Sequence, residues 1–209
     1  MWMKWIVFDM MGVIFQVSDD VKNLLVPFIQ RRNISVSSEK INELYRKASL
    51  GEIGSYDFWS QLGFGSDYPD IEKDYLDNYL KLDVEFLGIA RSLKESYSLA
   101  VLSNDLKEWS SYLRGKFGLD KLFKVVVISG EVGYRKPNRK IYTILLDQIH
   151  ESPSSCILID DWTKNLCTAS QLGMKTIKFL REDVTDDSSS DFQITSFSQL
   201  PGIVDRLFK

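Results

Sequence analysis

The sequence predicts an α/β fold: a doubly wound, Rossmann-like parallel sheet with helices on both faces, plus a small α-helical cap domain. Three observations predict it. Short apolar runs of strand length recur at 5–8, 98–102, 125–128, 156–159 and 176–179, and from about residue 83 they alternate with helical patterns. Between the first and second runs, residues 16–82 carry helical spacing and no convincing strand. Three of the runs also stop at polar groups: Asp9, Ser103-Asn104 and Asp160-Asp161. Parallel strands deliver such groups to one sheet edge, where open α/β folds bind ligands.

The elements follow in order. Trp5-Ile6-Val7-Phe8 is the first strand and ends in Asp9 and Gly12. Val21, Leu24, Leu25, Phe28 and Ile29 recur at helical spacing, and Pro27 starts a new helix or kinks this one. Ser37-Ser38-Glu39-Lys40 reads as a helix start leading into Ile41, Leu44 and Tyr45. Gly51 and Gly54 punctuate, Tyr56, Phe58, Trp59 and Leu62 offer another apolar face, and Asp70 to Leu82 reads as one more helix. Trp59 and Tyr56 are expected in the core. The division is therefore residues 1–15 and 83–209 as α/β core, with 16–82 as the helical cap.

Phe86, Ile89, Ala90 and Leu93 then make a helix leading into the strand at 98–102. Leu106, Trp109, Leu113 and Phe117 form the next helical face, ended by Gly115 or Gly118. Val125 to Ile128 is a β-branched run, as expected for a parallel strand covered on both faces. Ile141, Tyr142, Ile144 and Leu145 mark a helix, 156–159 a strand, Leu166 to Leu172 a helix and Thr176 to Phe179 the fifth strand. Asp183 to Asp191 is expected to be a solvated acidic loop, and Ile203, Val204 and Leu207 belong to a closing helix.

Composition narrows the function. The net charge of -3 argues against a nucleic-acid partner, which usually selects a basic patch. No apolar run approaches the roughly 20 residues of a membrane helix. The Met-Trp-Met-Lys-Trp start runs directly into the first strand, so no signal or transit peptide is expected. Cys156 and Cys167 lack the close spacing of a metal or redox motif and are expected as buried free thiols, which fits a cytoplasmic location.

The chemistry lies in a combination. Alone, Asp9 could cap a turn, Asp161 could cap a helix starting near Trp162, Ser103-Asn104 could be turn chemistry, and Lys136 before Pro137 could be a surface lysine. Together they place a carboxylate, a hydroxyl, a cation and an acidic pair at the ends of consecutive sheet elements. Adjacent carboxylates repel unless a cation compensates them. Mg²⁺ suits such a place, because it takes one or two carboxylates plus phosphate oxygens. Asp9 with Asp161, and Asp160 behind or through water, would supply its site.

These residues resemble the motifs of the haloacid dehalogenase-like hydrolase superfamily, mostly Mg²⁺-dependent phosphatases working through an aspartyl-phosphate. Phe8 to Ile14 looks like its first motif, Leu102-Ser103-Asn104 its second, Lys136-Pro137 with Ile141-Tyr142 its third, and Ile159 to Asn165 its fourth, continuing into Ala169 to Gly173. Gly51-Glu52-Ile53 followed by Phe58-Trp59 is similar to the subgroup of the soluble epoxide hydrolase phosphatase domain and bacterial sugar-phosphate phosphatases. The resemblance implies that Asp9 is the nucleophile. It implies that Ser103 and the Asn104 backbone hold phosphate oxygens, and that Lys136 neutralises them and orients Asp9. Mg²⁺ would be bound by Asp9, Asp161 and the Met11 carbonyl, with Asp160 in support, and the substrate would be a small phosphorylated metabolite.

Met11 departs from the pattern. The family phosphatases usually carry a second Asp there, which protonates the leaving oxygen and then activates water. Methionine can do neither. Slow or differently assisted phosphatase activity, a phosphate-binding protein with little catalysis, and a metal-free 2-haloacid dehalogenase are the resulting readings, in that order. A phosphorelay receiver domain is disfavoured, since its acidic pair follows the first strand and its lysine the last. His150, the single histidine, lies away from every strand end, so no Ser/His nucleophile system can be built.

Overall fold

The computed structural model describes residues 3–181 and 190–208. Six parallel strands form one sheet: β1 (Trp5–Phe8), β2 (Ser98–Ser103), β3 (Val125–Ile128), β4 (Cys156–Asp160), β5 (Lys175–Phe179) and β6 (Phe192–Ile194). Their order is β3-β2-β1-β4-β5-β6. The chain builds outward from β1 in one direction and then in the other. The switch therefore falls between β1 and β4, where Phe8 pairs with Ile159.

Alternate strand residues feed two cores. Ile6, Phe8, Leu99, Val101, Ile157 and Ile159 point to the face covered by α5 (Phe86–Lys94) and α10 (Leu200–Leu207). Trp5, Val7, Ala100, Leu102 and Leu158 point to the opposite face, under α8 (Arg139–Ile149) and α9 (Thr163–Gln171). Burial on both sides is why these strands read as unbroken apolar runs.

Between β1 and β2 lie α1 (Val26–Arg32), α2 (Ser38–Ala48), α3 (Ser55–Gln61) and α4 (Asp70–Asn78), which form the small helical cap of the fold. A π-helical turn at Val21–Leu25 runs into α1 with no break in helical backbone, so Pro27 sits just past the π-to-α junction and does not start a new helix. Ser37 caps α2 by accepting the Lys40 N–H at 3.2 Å. Phe28, Trp59 and Tyr75 pack edge to face or tilted at the centre of these helices. The helix α6 (Lys107–Phe117) ends at Gly118, as expected, and Trp109 on it reaches across to α4. The indole N–H groups of Trp109 and Trp59 both donate to Glu72 Oε2, at 2.7 and 2.9 Å.

Several expectations need correction. The helix expected to reach Leu82 stops at Asn78, because residues 81–83 pair instead with the outgoing chain. Gln16 N–H donates to Lys81 O at 3.0 Å, and Asp83 N–H donates to Ile14 O at 2.9 Å. The strand β6 was not expected; it is three residues long with Gln193 in its middle, so it makes no apolar run. The strand β3 is not covered throughout: Val125 and Val126 are half-buried, because β3 is the sheet edge. Tyr56 is exposed rather than in the core, and Cys167 is only half-buried, whereas Trp59 and Cys156 are buried. Most of the expected acidic loop lies outside the described residues. Asp191, which is described, accepts from Thr176 N at 2.7 Å. No helix among the described residues is long and apolar enough to cross a membrane.

Candidate active site

The site opens at the carboxyl ends of the central strands, over the switch between β1 and β4. Asp9 follows β1 directly, and its N–H donates to Ile159 O at 2.9 Å, so the neighbouring strand fixes its backbone. Its Oδ1 accepts from Met10 N–H at 2.7 Å. Asp160 closes β4, and Asp161 is the next residue. Carboxylate oxygens of Asp9, Asp160 and Asp161 all lie within 4.8 Å of one another.

One lysine balances this group. Lys136 Nζ sits 2.9 Å from Asp9 Oδ1 and 2.6 Å from Asp160 Oδ2, with its side chain fully enclosed. Burial opposes its charge, but Asp160 and Asp9 outweigh that and raise its pKa. The ammonium is therefore kept. Asn104 positions it: its Oδ1 accepts from Lys136 N–H at 2.7 Å, and its Nδ2 donates to Lys136 O at 3.0 Å. The expectation for Asn104 rested on its backbone, yet its side chain is what grips the lysine loop.

Asp160 is fully committed inside the protein. Besides Lys136, it accepts from Trp162 N–H at 2.8 Å and from Asn165 Nδ2 at 3.0 and 3.1 Å. Asp161 differs. It does not cap the helix, since Trp162 occupies the N-cap of α9. Its Oδ1 is buried without a hydrogen-bond partner. Burial first, then Asp160 and Asp9, push its pKa up, and burial likewise raises Asp9 against the pull of Lys136. Three crowded carboxylates face one ammonium, and Asp9 and Asp161, with Asp160 behind them, offer hard oxygen donors to a divalent cation, so the residues fit Mg²⁺.

Gly12 makes room for this arrangement. Its φ of +77° is one that glycine adopts freely, and a Cβ there would stand 2.1 Å from Asp161 Oδ2. Arg181 holds the same loop, donating to the carbonyls of Gly12 (3.0 Å) and Val13 while pairing with Asp83. Ser103, at the end of β2, has a buried Oγ with no partner.

Above these groups lies a cavity of about 270 Å³. Asp9, Met11, Asn104, Lys136 and Asn165 form its sheet side, and Asp19, Asp20 and Tyr45 its helical side. Arg135, Trp162 and Lys164 complete the wall. Tyr45 ties the two sides together, donating its hydroxyl to Asn104 O at 3.1 Å. Arg135 lies 5.4 Å above the Tyr45 ring and donates to Ser49 Oγ. Asp19, Asp20, Tyr45 and Arg135 were not among the expected site residues. Asp19-Asp20 follow no apolar run, and Tyr45 reads as one more apolar position of its helix.

A family model described as haloacid dehalogenase-like hydrolase matches residues 3–173. The chain belongs to this family of hydrolases. A glyceraldehyde 3-phosphate phosphatase of Pyrococcus furiosus is 29% identical over 126 residues, covering 56% of this chain and 52% of that protein. The chain thus spans about half the length of the first curated relatives it matches. A D-ribitol-5-phosphate phosphatase of Bacteroides thetaiotaomicron is 24% identical over 190 residues, covering 84% of this chain and 91% of that protein. A HAD family enzyme of Bacteroides thetaiotaomicron, solved with magnesium and inorganic phosphate, superposes with a TM-score of 0.73. It is 18% identical and covers 89% of this chain and 98% of that one, which shows a shared fold.

Proposed function

We propose that the protein is a Mg²⁺-dependent phosphatase of a small phosphorylated metabolite, with Asp9 as nucleophile. The observation that carries this reading is the set of three carboxylates sharing one buried lysine. A metal-free dehalogenase would leave that charge uncompensated. The phosphatase relatives, and the related fold solved with magnesium and phosphate, support the same reading.

Asp9 Oδ attacks phosphorus, the ester P–O bond breaks, and an aspartyl-phosphate forms; water then attacks its phosphorus and frees Asp9. Lys136 holds Asp9 in line and balances phosphate charge, with Asp160 fixing the ammonium from behind. Ser103 Oγ donates to a phosphate oxygen, beside the loop that Asn104 holds in place. Asp9, Asp161 and the Met11 carbonyl would hold Mg²⁺, with Asp160 in support, and the ion would supply charge stabilisation to the transferring phosphoryl group. Residues 16–82 act as the cap that covers this chemistry.

Met11 favours a second reading, a phosphate-binding protein with little catalysis, because a thioether offers no proton. A single assay separates them. The phosphatase reading expects Mg²⁺-dependent release of phosphate from an activated aryl phosphate, abolished by EDTA. Absence of turnover alongside a phosphate-induced rise in melting temperature would establish the binding protein instead.

A further inference from the structure

The phosphatase reading leaves a proton unaccounted for. An alkyl alcohol departs poorly as an alkoxide, and general acid help is typically worth about 10²–10⁴-fold. Met11 occupies the usual position of that acid and lines the cavity with Asp9. Another donor must reach the same space.

The cavity wall offers few candidates. Tyr45 already gives its proton to Asn104 O, and burial and Asp20 hold its pKa well above the ordinary phenol value. Its phenolate is too costly to form. Lys164 is exposed, and Arg135 is engaged with Ser49 Oγ and the Tyr45 ring. Asp19 is half-buried, with Oδ1 accepting from Lys22 N–H. Asp20 is different. It comes from the helical segment, lines the same cavity as Asp9 and Met11, and is only 7% exposed. Its surroundings disfavour a carboxylate: Asp19 in its own segment is acidic, and Arg135 is the compensating cation. Asp105, after β2, is itself pushed well toward its neutral acid by burial and by Asp20. Tyr45 and Tyr75 also face it and carry no charge to offset its ionisation. Burial first, then Asp19, raises its pKa to about 7, so a large share is protonated near neutrality.

Resting on the phosphatase reading, we propose that Asp20 supplies the proton that position 11 cannot. As Asp9 Oδ bonds to phosphorus and the P–OR bond breaks, the ester oxygen takes the Asp20 proton and leaves as an alcohol. The resulting Asp20 carboxylate then accepts a proton from the water that attacks the aspartyl-phosphate. Phosphate departs, Asp9 returns as a carboxylate, and Asp20 is again an acid. The helical cap thereby contributes a catalytic residue to the cavity that holds the nucleophile.

The test uses the full chain with Mg²⁺ and two esters, an activated aryl phosphate and an alkyl phosphate, read as kcat/KM. Asp20→Asn is expected to lower the alkyl value by about 100-fold. The aryl value should fall at least about tenfold less, because a good leaving group depends least on the acid. Met11→Asp in the Asp20→Asn background should recover the alkyl-to-aryl ratio by at least about tenfold. An equal fall on both esters would mean a structural role and would overturn the proposal, as would an unchanged alkyl value. If Asp20→Asn does not fold, the unaltered chain still decides. Its alkyl kcat/KM should fall as pH rises through about 7, where Asp20 loses its proton, with no matching limb for the aryl ester. A shared limb would overturn the proposal. Turnover of the aryl ester with none of the alkyl ester would overturn it while the phosphatase reading stands; no turnover of either overturns both.

Discussion

The two walls of the cavity are built differently. On the sheet side, Asp9 and Asp160 sit at the ends of β1 and β4, strands paired in register from Trp5–Cys156 to Phe8–Ile159. Asp9 and Asp160 each have fixed partners there, and Lys136 is held by Asn104, Asp9 and Asp160 together. On the helical side, Asp19 and Asp20 lie where a turn enters α1, and Tyr45 comes from the C-terminal half of α2. These residues reach the cavity only because the helices dock on α6. The sheet edge can thus hold invariant chemistry, while the helical wall can vary what is admitted and how a proton is delivered.

The largest effect on stability is expected at the sheet edge. Lys136→Met leaves Asp9 and Asp160 buried without their cation, and removal of one partner from a buried pair typically costs about 3–5 kcal/mol. Thermal or chemical unfolding of the metal-free protein should show that loss, and Mg²⁺ should recover part of it. A loss no larger than that of a surface substitution would mean the carboxylates are already neutral, and the contrast between the walls would weaken.

That contrast also explains what was legible in the sequence. Asp9, Ser103, Asp160 and Asp161 each follow an apolar run, so strand ends announce them. Lys136 is announced by the proline that follows it and the helix beyond. Asp20 has no such marker, because its burial depends on cap–core packing among residues distant in sequence. Tyr45 shows a 3.6-residue period like any core position, and nothing local reveals that its hydroxyl reaches Asn104. The missed strand β6 fails for a related reason: at the sheet edge it needs no apolar run. The early end of α4 follows from pairing with residues 14–16, a long-range contact that overrides local helical spacing.

A smaller effect is expected on the helical wall. Tyr45→Phe removes the single described bond from its hydroxyl to Asn104 O, a bond of ordinary strength. The expected loss is about 1 kcal/mol, read by denaturant unfolding. Its effect on kcat/KM should exceed what so small a loss of stability can explain, because Asn104 grips the Lys136 loop. Equal stability losses for Tyr45→Phe and Lys136→Met would erase the distinction between a rigid sheet edge and an adjustable cap.

The central claim is that Asp9 carries the phosphoryl group, and a rapid acid quench of the reaction with an aryl phosphate tests it most directly. Intact-mass analysis of the quenched Mg²⁺-loaded protein should show one added phosphoryl group, mapped to the peptide containing Asp9. Asp9→Asn should show neither the adduct nor turnover. Turnover without any adduct on Asp9, or an adduct that persists in Asp9→Asn, would contradict the account.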